Sequence, residues 1–420
     1  MGPISISQTR QPAPRQEQLF LGSLLVLPFA SYLGLLGLVG LLLNALVQRG
    51  AAVGRWLWQR GYGWLTIGLI ASAAFAVSPG DAWLQLANFL PYFLLAGTLH
   101  TAPQLARPVA KLTQTARALV LGSIPVSLIA LVEYTIRFPA ITARVGHWPM
   151  FQWVYDVSFL GHRAQSTLSY PNILGNYLVI VVGLGLGLLV GELRRPRPRL
   201  PQSIATALVL ANLAVFCTGS RNALLAVMPL LLVAGYLARR RPWVWWVGLI
   251  TGIAATLGIL VLGIGGRSLS IALFTNDPRV LAWQIALDFI QQRPLLGWGL
   301  GGFNHIYVPF SIPEYKYLFH PHNLWLYLAC DTGIPVMVLF CWIVGRQYVR
   351  GVRRLSQLQG EHQTALLSYL LAFSGCILFA LYDVTLFDAR INILSWFALA
   401  SIGVLTECPR SPNGQTDGPH

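Results

Sequence analysis

NDPRVLAWQIALDFIQQRPLLGWGLGGFNHIYVPFSIPEYKYLFHPHNLWLYLACDTG, residues 276–333, interrupts a chain that is otherwise apolar enough to sit in a bilayer. The stretch carries Arg279 near its start, a Gly-rich turn at 297–302, and the cluster His320-Pro321-His322-Asn323 where an apolar segment resumes. Its surroundings decide the fold class. Of 420 residues, 55% are hydrophobic and only 10% are charged, against about 25% charged in soluble domains. Mean hydropathy is +0.60, and apolar runs near twenty residues recur, long enough to cross a bilayer as helix. Strand-period alternation is absent, which argues against an outer-membrane barrel. The sequence therefore predicts an all-α integral membrane protein.

Working outward, the expected spans are a hairpin within 19–46, then 62–79 and 82–99 joined by the turn Ser78-Pro79-Gly80-Asp81, and 118–136. A polar-aromatic stretch with Trp148, Trp153 and Tyr155 suits headgroup depth. Spans follow at 168–190, 203–217, 222–238, 243–265, 322–343, 366–382 and 391–406, which makes about 12 transmembrane helices. This divides the chain into an N-terminal tail (1–18), a first bundle section (19–265), an external loop with an amphipathic helix (266–321), a second bundle section (322–406) and a polar tail (407–420). No signal-peptide cleavage pattern precedes the first apolar run, so that run is expected to be retained as a span.

Net charge is +15, from 29 Lys+Arg and 14 Asp+Glu. No nucleic-acid-binding motif accompanies it, and basic residues flanking spans explain it through the positive-inside bias. Placing both termini in the cytoplasm leaves nine cations outside: Arg137, Arg144, Arg163, Arg221, Arg267, Arg279, Arg293, Lys316 and Arg390. The five cysteines (217, 330, 341, 376, 408) show no metal or disulfide spacing and read as packing residues.

Outward cations need a reason. Arg221 lies in a hairpin, FCTGSRNALLAV, where it is either a snorkelling turn residue or an anion ligand. Arg279 follows cap residues Asn276 and Asp277 and helix-starting Pro278, ahead of an amphipathic run. It is either a surface arginine or part of a phosphate site at a helix N-terminus. Arg163 reads as an interfacial anchor or a weaker anion ligand. His322 opens an apolar helix beside Asn323, with Asp331 two turns on. It is either structural or a proton acceptor, which neighbouring arginines would keep neutral. Zinc is discounted, because His320 and His322 lack an HExxH motif or a supporting cysteine or carboxylate set in sequence.

Together these residues resemble the superfamily of O-antigen ligases and O-antigen polymerases. The resemblance is carried by TGSRNA at 218–223, Arg279 with Trp283, RPLLGWGLGGF at 293–303, and HNLWLYLACDTG at 322–333. It implies a GT-C-like, metal-independent, inverting glycosyltransferase of the bacterial inner membrane with no cofactor. Its partners would be a glycan donor on undecaprenyl diphosphate, a lipid A–core or glycan acceptor, and membrane lipids. Arg221, Arg279 and Arg163 would bind the diphosphate, and His322 would take the acceptor proton. Asn323 and Asp331 would support it, although Asp331 replaces the glutamate more usual in the family. Ligase and polymerase are not separated by these motifs, and the intact His-Asn pair favours ligase. The superfamily also includes proteins linked to inorganic-carbon uptake. A solute-transport protein is thus the reading from a different class, disfavoured by the lack of an evident broken-helix pair.

Overall fold

The computed structural model describes residues 14–102, 108–137, 162–198, 201–241, 277–313 and 316–408. The expected span 243–265, the aromatic stretch around Trp148, Trp153 and Tyr155, and most of both tails lie outside them. The elements among the described residues are helical. In chain order they are α1 (Pro14–Val26), α2 (Ser31–Arg60), α3 (Tyr62–Ala74), α4 (Pro79–Gln85), α5 (Leu90–His100), α6 (Pro108–Ile136), α7 (Pro171–Leu193) and α8 (Gln202–Cys217). Then come α9 (Arg221–Leu237), α10 (Pro278–Gln292), α11 (Gly302–Ile306), α12 (Leu324–Thr332), α13 (Ile334–Leu355), α14 (Gly360–Ala380) and α15 (Ala389–Glu407).

Among the described residues, six segments are long and apolar enough to cross a membrane: α2, the α4–α5 segment, α6, α7, α14 and α15. Three shorter apolar helices, α3, α8 and α9, join them. The count of twelve spans is therefore not what the described residues show, while the all-helical, multi-pass character is.

Three boundaries differ from expectation, each for a local reason. Ser78-Pro79 does not form a tight turn between spans. Pro79 sits in the first turn of α4, where its missing N–H costs nothing. The expected span 322–343 is broken after Thr332 by Gly333, at φ 83°, with Pro335 following. A Cβ on Gly333 would lie 2.1 Å from the Leu295 carbonyl oxygen, so only glycine fits where Leu295 crosses the break. The first helix starts ahead of the expected first span, α1 beginning at Pro14. The hairpin expected within 19–46 does form, α1 and α2 meeting where Gly34 and Gly37 face Ser23. Its second arm runs on to Arg60 and kinks at Arg49, whose backbone leaves the helical region (φ −143°, ψ 20°).

The centre of the bundle is α7 against α14. α7 is apolar all round and buried along almost its whole length, as a helix surrounded by others must be. Gly183, Gly187 and Gly191 form a stripe at four-residue spacing. A Cβ on Gly183 would lie 2.5 Å from the Ala372 backbone, and one on Gly187 2.2 Å from the Ser368 Cα. The two backbones touch directly, the small-residue packing that holds helices together in lipid. Around this pair, α2 exposes Leu33, Leu36, Val39, Leu43 and Val47, as a lipid-facing helix would.

The bundle has chemically different ends. At one, Arg60 pairs with Glu407, and Arg194 and Arg241 donate to the carbonyls of Leu237 and Leu193. At the other end the loops before α7, between α8 and α9, before α12 and between α14 and α15 converge.

Candidate functional site

Those converging loops build one polar cluster, starting from a buried anchor. Glu133, in the last turn of α6, is fully buried and pairs with Arg137 at 2.6 Å. Its carboxylate also accepts the N–H groups of Gln165 (3.0 Å) and Ser166 (2.6 Å). Ser166 is held with φ 54°, and Arg137 donates to the Arg163 carbonyl. The loop before α7 is thereby fixed, and Arg163 with it. Its Nε donates to the Thr218 carbonyl at 2.9 Å and its Nη2 to Asn172 Oδ1 at 2.8 Å.

Asn172, at the start of α7, is a hub. Its Oδ1 also accepts the Ser220 hydroxyl at 3.0 Å, and its Nδ2 donates to Asp383 Oδ2 at 3.1 Å. The other oxygen of Asp383 faces His322 Nδ1 at 3.4 Å and accepts the Val384 N–H. The loop bearing Asp383 is pinned by Arg390, which chelates Asp388 and donates to the Ser169 hydroxyl.

The remaining arginines enter from the next two elements. Arg221 is the first residue of α9 and meets Asp277 across 3.0 Å. Asp277 caps α10 by accepting the Arg279 N–H at 3.1 Å. The Arg279 guanidinium donates to Asn222 Oδ1 at 2.7 Å, and Asn222 Nδ2 donates to the Tyr382 carbonyl, next to Asp383. Four residues singled out in sequence, Arg163, Arg221, Arg279 and His322, thus lie on two hydrogen-bonded chains that meet at the neighbouring residues Ser220–Arg221 and Tyr382–Asp383, and together form one assembly.

His322 itself has φ 51°, a left-handed backbone rarely adopted by non-glycine residues. Such strain collects at functional sites when surrounding contacts enforce it. Here Asn323 enforces it. Its Oδ1 caps α12 by accepting the Trp325 and Leu326 N–H groups, and its Nδ2 donates to the Leu381 carbonyl.

Electrostatics follow from this packing. Burial pushes the Asp383 carboxyl up, but the His322 hydrogen bond and the charges of His322, His320 and Arg279 outweigh it and hold it at about 2. It is an anion throughout the physiological range. His320, stacked on Phe387, is lowered to about 4 by burial first and then by His322 and Arg279, so it is neutral there.

Asp331 lies apart from the assembly. Fully buried, it accepts the N–H groups of Gly301 (2.7 Å) and Phe303 (3.0 Å), while its carbonyl accepts from Ser72 and Gly299. It ties the Gly-rich turn to α12. Sequence reasoning missed Asp383, Asn172 and Asn222. A usable signal was the scarcity of acids, 14 in 420 residues, with two falling in the short turn DVTLFDAR between two apolar runs.

Among the described residues, His320, His322 and Asp383 are the one set that presents three ligand atoms within 4.8 Å of one another. His320 Nδ1 already accepts the His322 N–H, and Arg279 lies near enough to bias Asp383 and His320. Both features oppose a bound cation. The same guanidiniums and the α10 N-terminus suit an anion.

Residues 205–341 match the family model described as O-antigen ligase. Over that segment, about a third of its length, the chain is similar to the O-antigen ligase family. No curated protein matches it. The similarity agrees with the membrane-crossing helices among the described residues. The O-antigen ligase match includes Arg221, Arg279 and His322 but ends before Asp383 and begins after Arg163 and Asn172. The hydrogen bonds therefore join residues inside the matched segment to α7 and the α14–α15 turn outside it.

Proposed function

We propose that the chain moves a glycan from undecaprenyl diphosphate to an acceptor hydroxyl on a lipid A–core sugar, at the outer face of the inner membrane. The observation that carries this reading is the joining of Arg163, Arg221, Arg279 and His322 in one assembly at one end of the bundle.

In this reaction the acceptor oxygen attacks the anomeric carbon and the bond from that carbon to the diphosphate oxygen breaks, with inversion. The acceptor proton passes to His322 Nε2. Asp383, facing Nδ1, orients the ring and stabilises the imidazolium that forms. The leaving diphosphate gathers charge, which Arg221, Arg279 and the N-terminus of α10 offset. Asp277 and Asn222 hold the two guanidiniums in place beforehand, so little reorganisation is needed. Arg163 is the more remote cation of the set. No metal takes part in these steps.

The test is transfer by the purified protein from a lipid-linked oligosaccharide, with and without lipid A–core. Loss of product in His322→Ala, and unchanged transfer in EDTA, are expected. Full activity in His322→Ala removes the base. Longer glycans without any lipid A–core product assign a polymerase, and solute uptake without glycan transfer assigns a transporter.

A further inference from the structure

At the opposite end of the bundle, α1, α2, α5 and α6 enclose a cavity of about 370 Å³. That is within the ~300–1,000 Å³ usual for small-ligand sites. It is remote from the His322 assembly. Lys111 lines it and Glu133 anchors the other site, 22 residues further along α6, or about 33 Å of straight helix.

Its lining is sorted along the bundle axis. On α2 it passes from Leu38, Leu41 and Leu42 to Asn44 and Arg49, about 16 Å along the helix. On α1 it passes the other way, from Gln16, Glu17 and Gln18 to Phe20 and Leu21, because α1 is antiparallel to α2. Lys111, Gln114 and Thr115 of α6 complete the polar end, and Phe397 of α15 lies at the apolar end. The cavity is thus shaped like an amphiphile, with its polar end where Arg60, Arg194 and Arg241 also collect.

The polar end carries an excess of positive charge. Lys111 pairs with Glu17, whereas Arg49 donates through Nη1 to the neutral Thr101 carbonyl at 2.9 Å. Arg49 reaches that position because α2 leaves helical geometry at this residue. A guanidinium presents five donors, so the Thr101 contact leaves others to meet phosphate oxygens. Basic pockets between transmembrane helices are the usual seat of acidic headgroups.

We propose that this cavity holds one anionic phospholipid, its phosphate at Arg49 and Lys111 and an acyl chain along Leu42, Leu41 and Leu38. The bound lipid seals α1 and the α2 kink onto α5 and α6.

The experiment is native mass spectrometry of the full chain in detergent. Phosphatidylglycerol is compared with phosphatidylethanolamine of the same acyl chains. The unmodified protein should retain phosphatidylglycerol several-fold more than phosphatidylethanolamine. The Arg49→Gln/Lys111→Gln variant should lose that preference. Leu42→Trp, which fills the apolar half and keeps both charges, should lower retention of both lipids. Equal retention of the two lipids by the unmodified protein would overturn the proposal. So would unchanged phosphatidylglycerol retention in either variant, or an equal loss on Arg346→Gln, a site on α13 outside the cavity lining.

Discussion

At the scale of single residues, the pairing of His322 with Asp383 sets the chemistry. A positioned general base contributes roughly 10²–10⁴-fold, so His322→Ala should lose about that much turnover. Asp383→Asn should lose part of it, mainly in kcat, because it alters how the imidazole is held and not how the donor binds. Steady-state kinetics on a soluble acceptor analogue would separate the two parameters, and a pure KM effect would reassign Asp383 to donor binding. His320 gives a pH prediction. Its folded value of about 4 lies below its ordinary 6.5, so the unfolded chain binds the proton more readily. Stability from this group is complete above about pH 6.5 and is lost as pH falls toward 4. Melting temperature should fall across that window, and His320→Gln should flatten the fall.

The cationic half of this site was legible in the sequence, because arginines on the side that the positive-inside bias depletes call for an explanation. Its acidic and amide half was not. Asp383 lies 61 residues from His322, and only the packing of the α14–α15 turn over the start of α12 brings them together. Asn172 and Asn222 carry no charge to mark them, and asparagine after proline or arginine at a helix start also reads as a simple cap.

At the scale of elements, the helix start at Asp277-Pro278 was predicted, and the Ser78-Pro79 turn and the continuity of the 322–343 span were not. Asp277-Pro278 stands where its residue types suggest, and Asn323, read only as a neighbour of His322, proves to be the cap of α12. By contrast, hydropathy carried the expected span across Gly333, because Ile334, Val336 and Met337 continue the apolar run past the break. Asn323→Ala should cost about 1 kcal/mol as a lost cap, and should lower transfer further by releasing the strained backbone of His322. The α7–α14 contact makes a sharper prediction. Gly187→Leu would drive a side chain into the Ser368 backbone and force the central pair apart, costing at least the ~1–3 kcal/mol typical of overpacking. A Cβ on Gly235 of α9 would meet no atom within 4 Å, so Gly235→Leu should leave the melting temperature unchanged. Equal loss in both variants would mean that the direct backbone contact is not what holds the centre.

At the scale of the whole molecule, two ends of one helical bundle have separate tasks. One gathers basic residues and a lipid-shaped cavity. The other gathers the His322 assembly under the amphipathic helix α10. Bilayer orientation follows if the basic end faces the cytoplasm. Cysteines placed singly at Lys316 and Gln359 in a cysteine-free background should then respond oppositely to a membrane-impermeant thiol reagent in intact cells, with position 316 labelled and 359 protected. The reverse pattern would put the His322 site on the wrong side for an external acceptor.

The most direct measurement is competitive binding of lipid diphosphate against lipid monophosphate to the purified chain and to Arg221→Ala and Arg279→Ala. If guanidiniums of this assembly hold the leaving group, the unmodified chain prefers the diphosphate, and each variant loses that preference. Transfer then falls by about 10²–10³-fold, the usual loss when a charge-stabilising donor is removed. Undiminished preference for the diphosphate in both variants would contradict it.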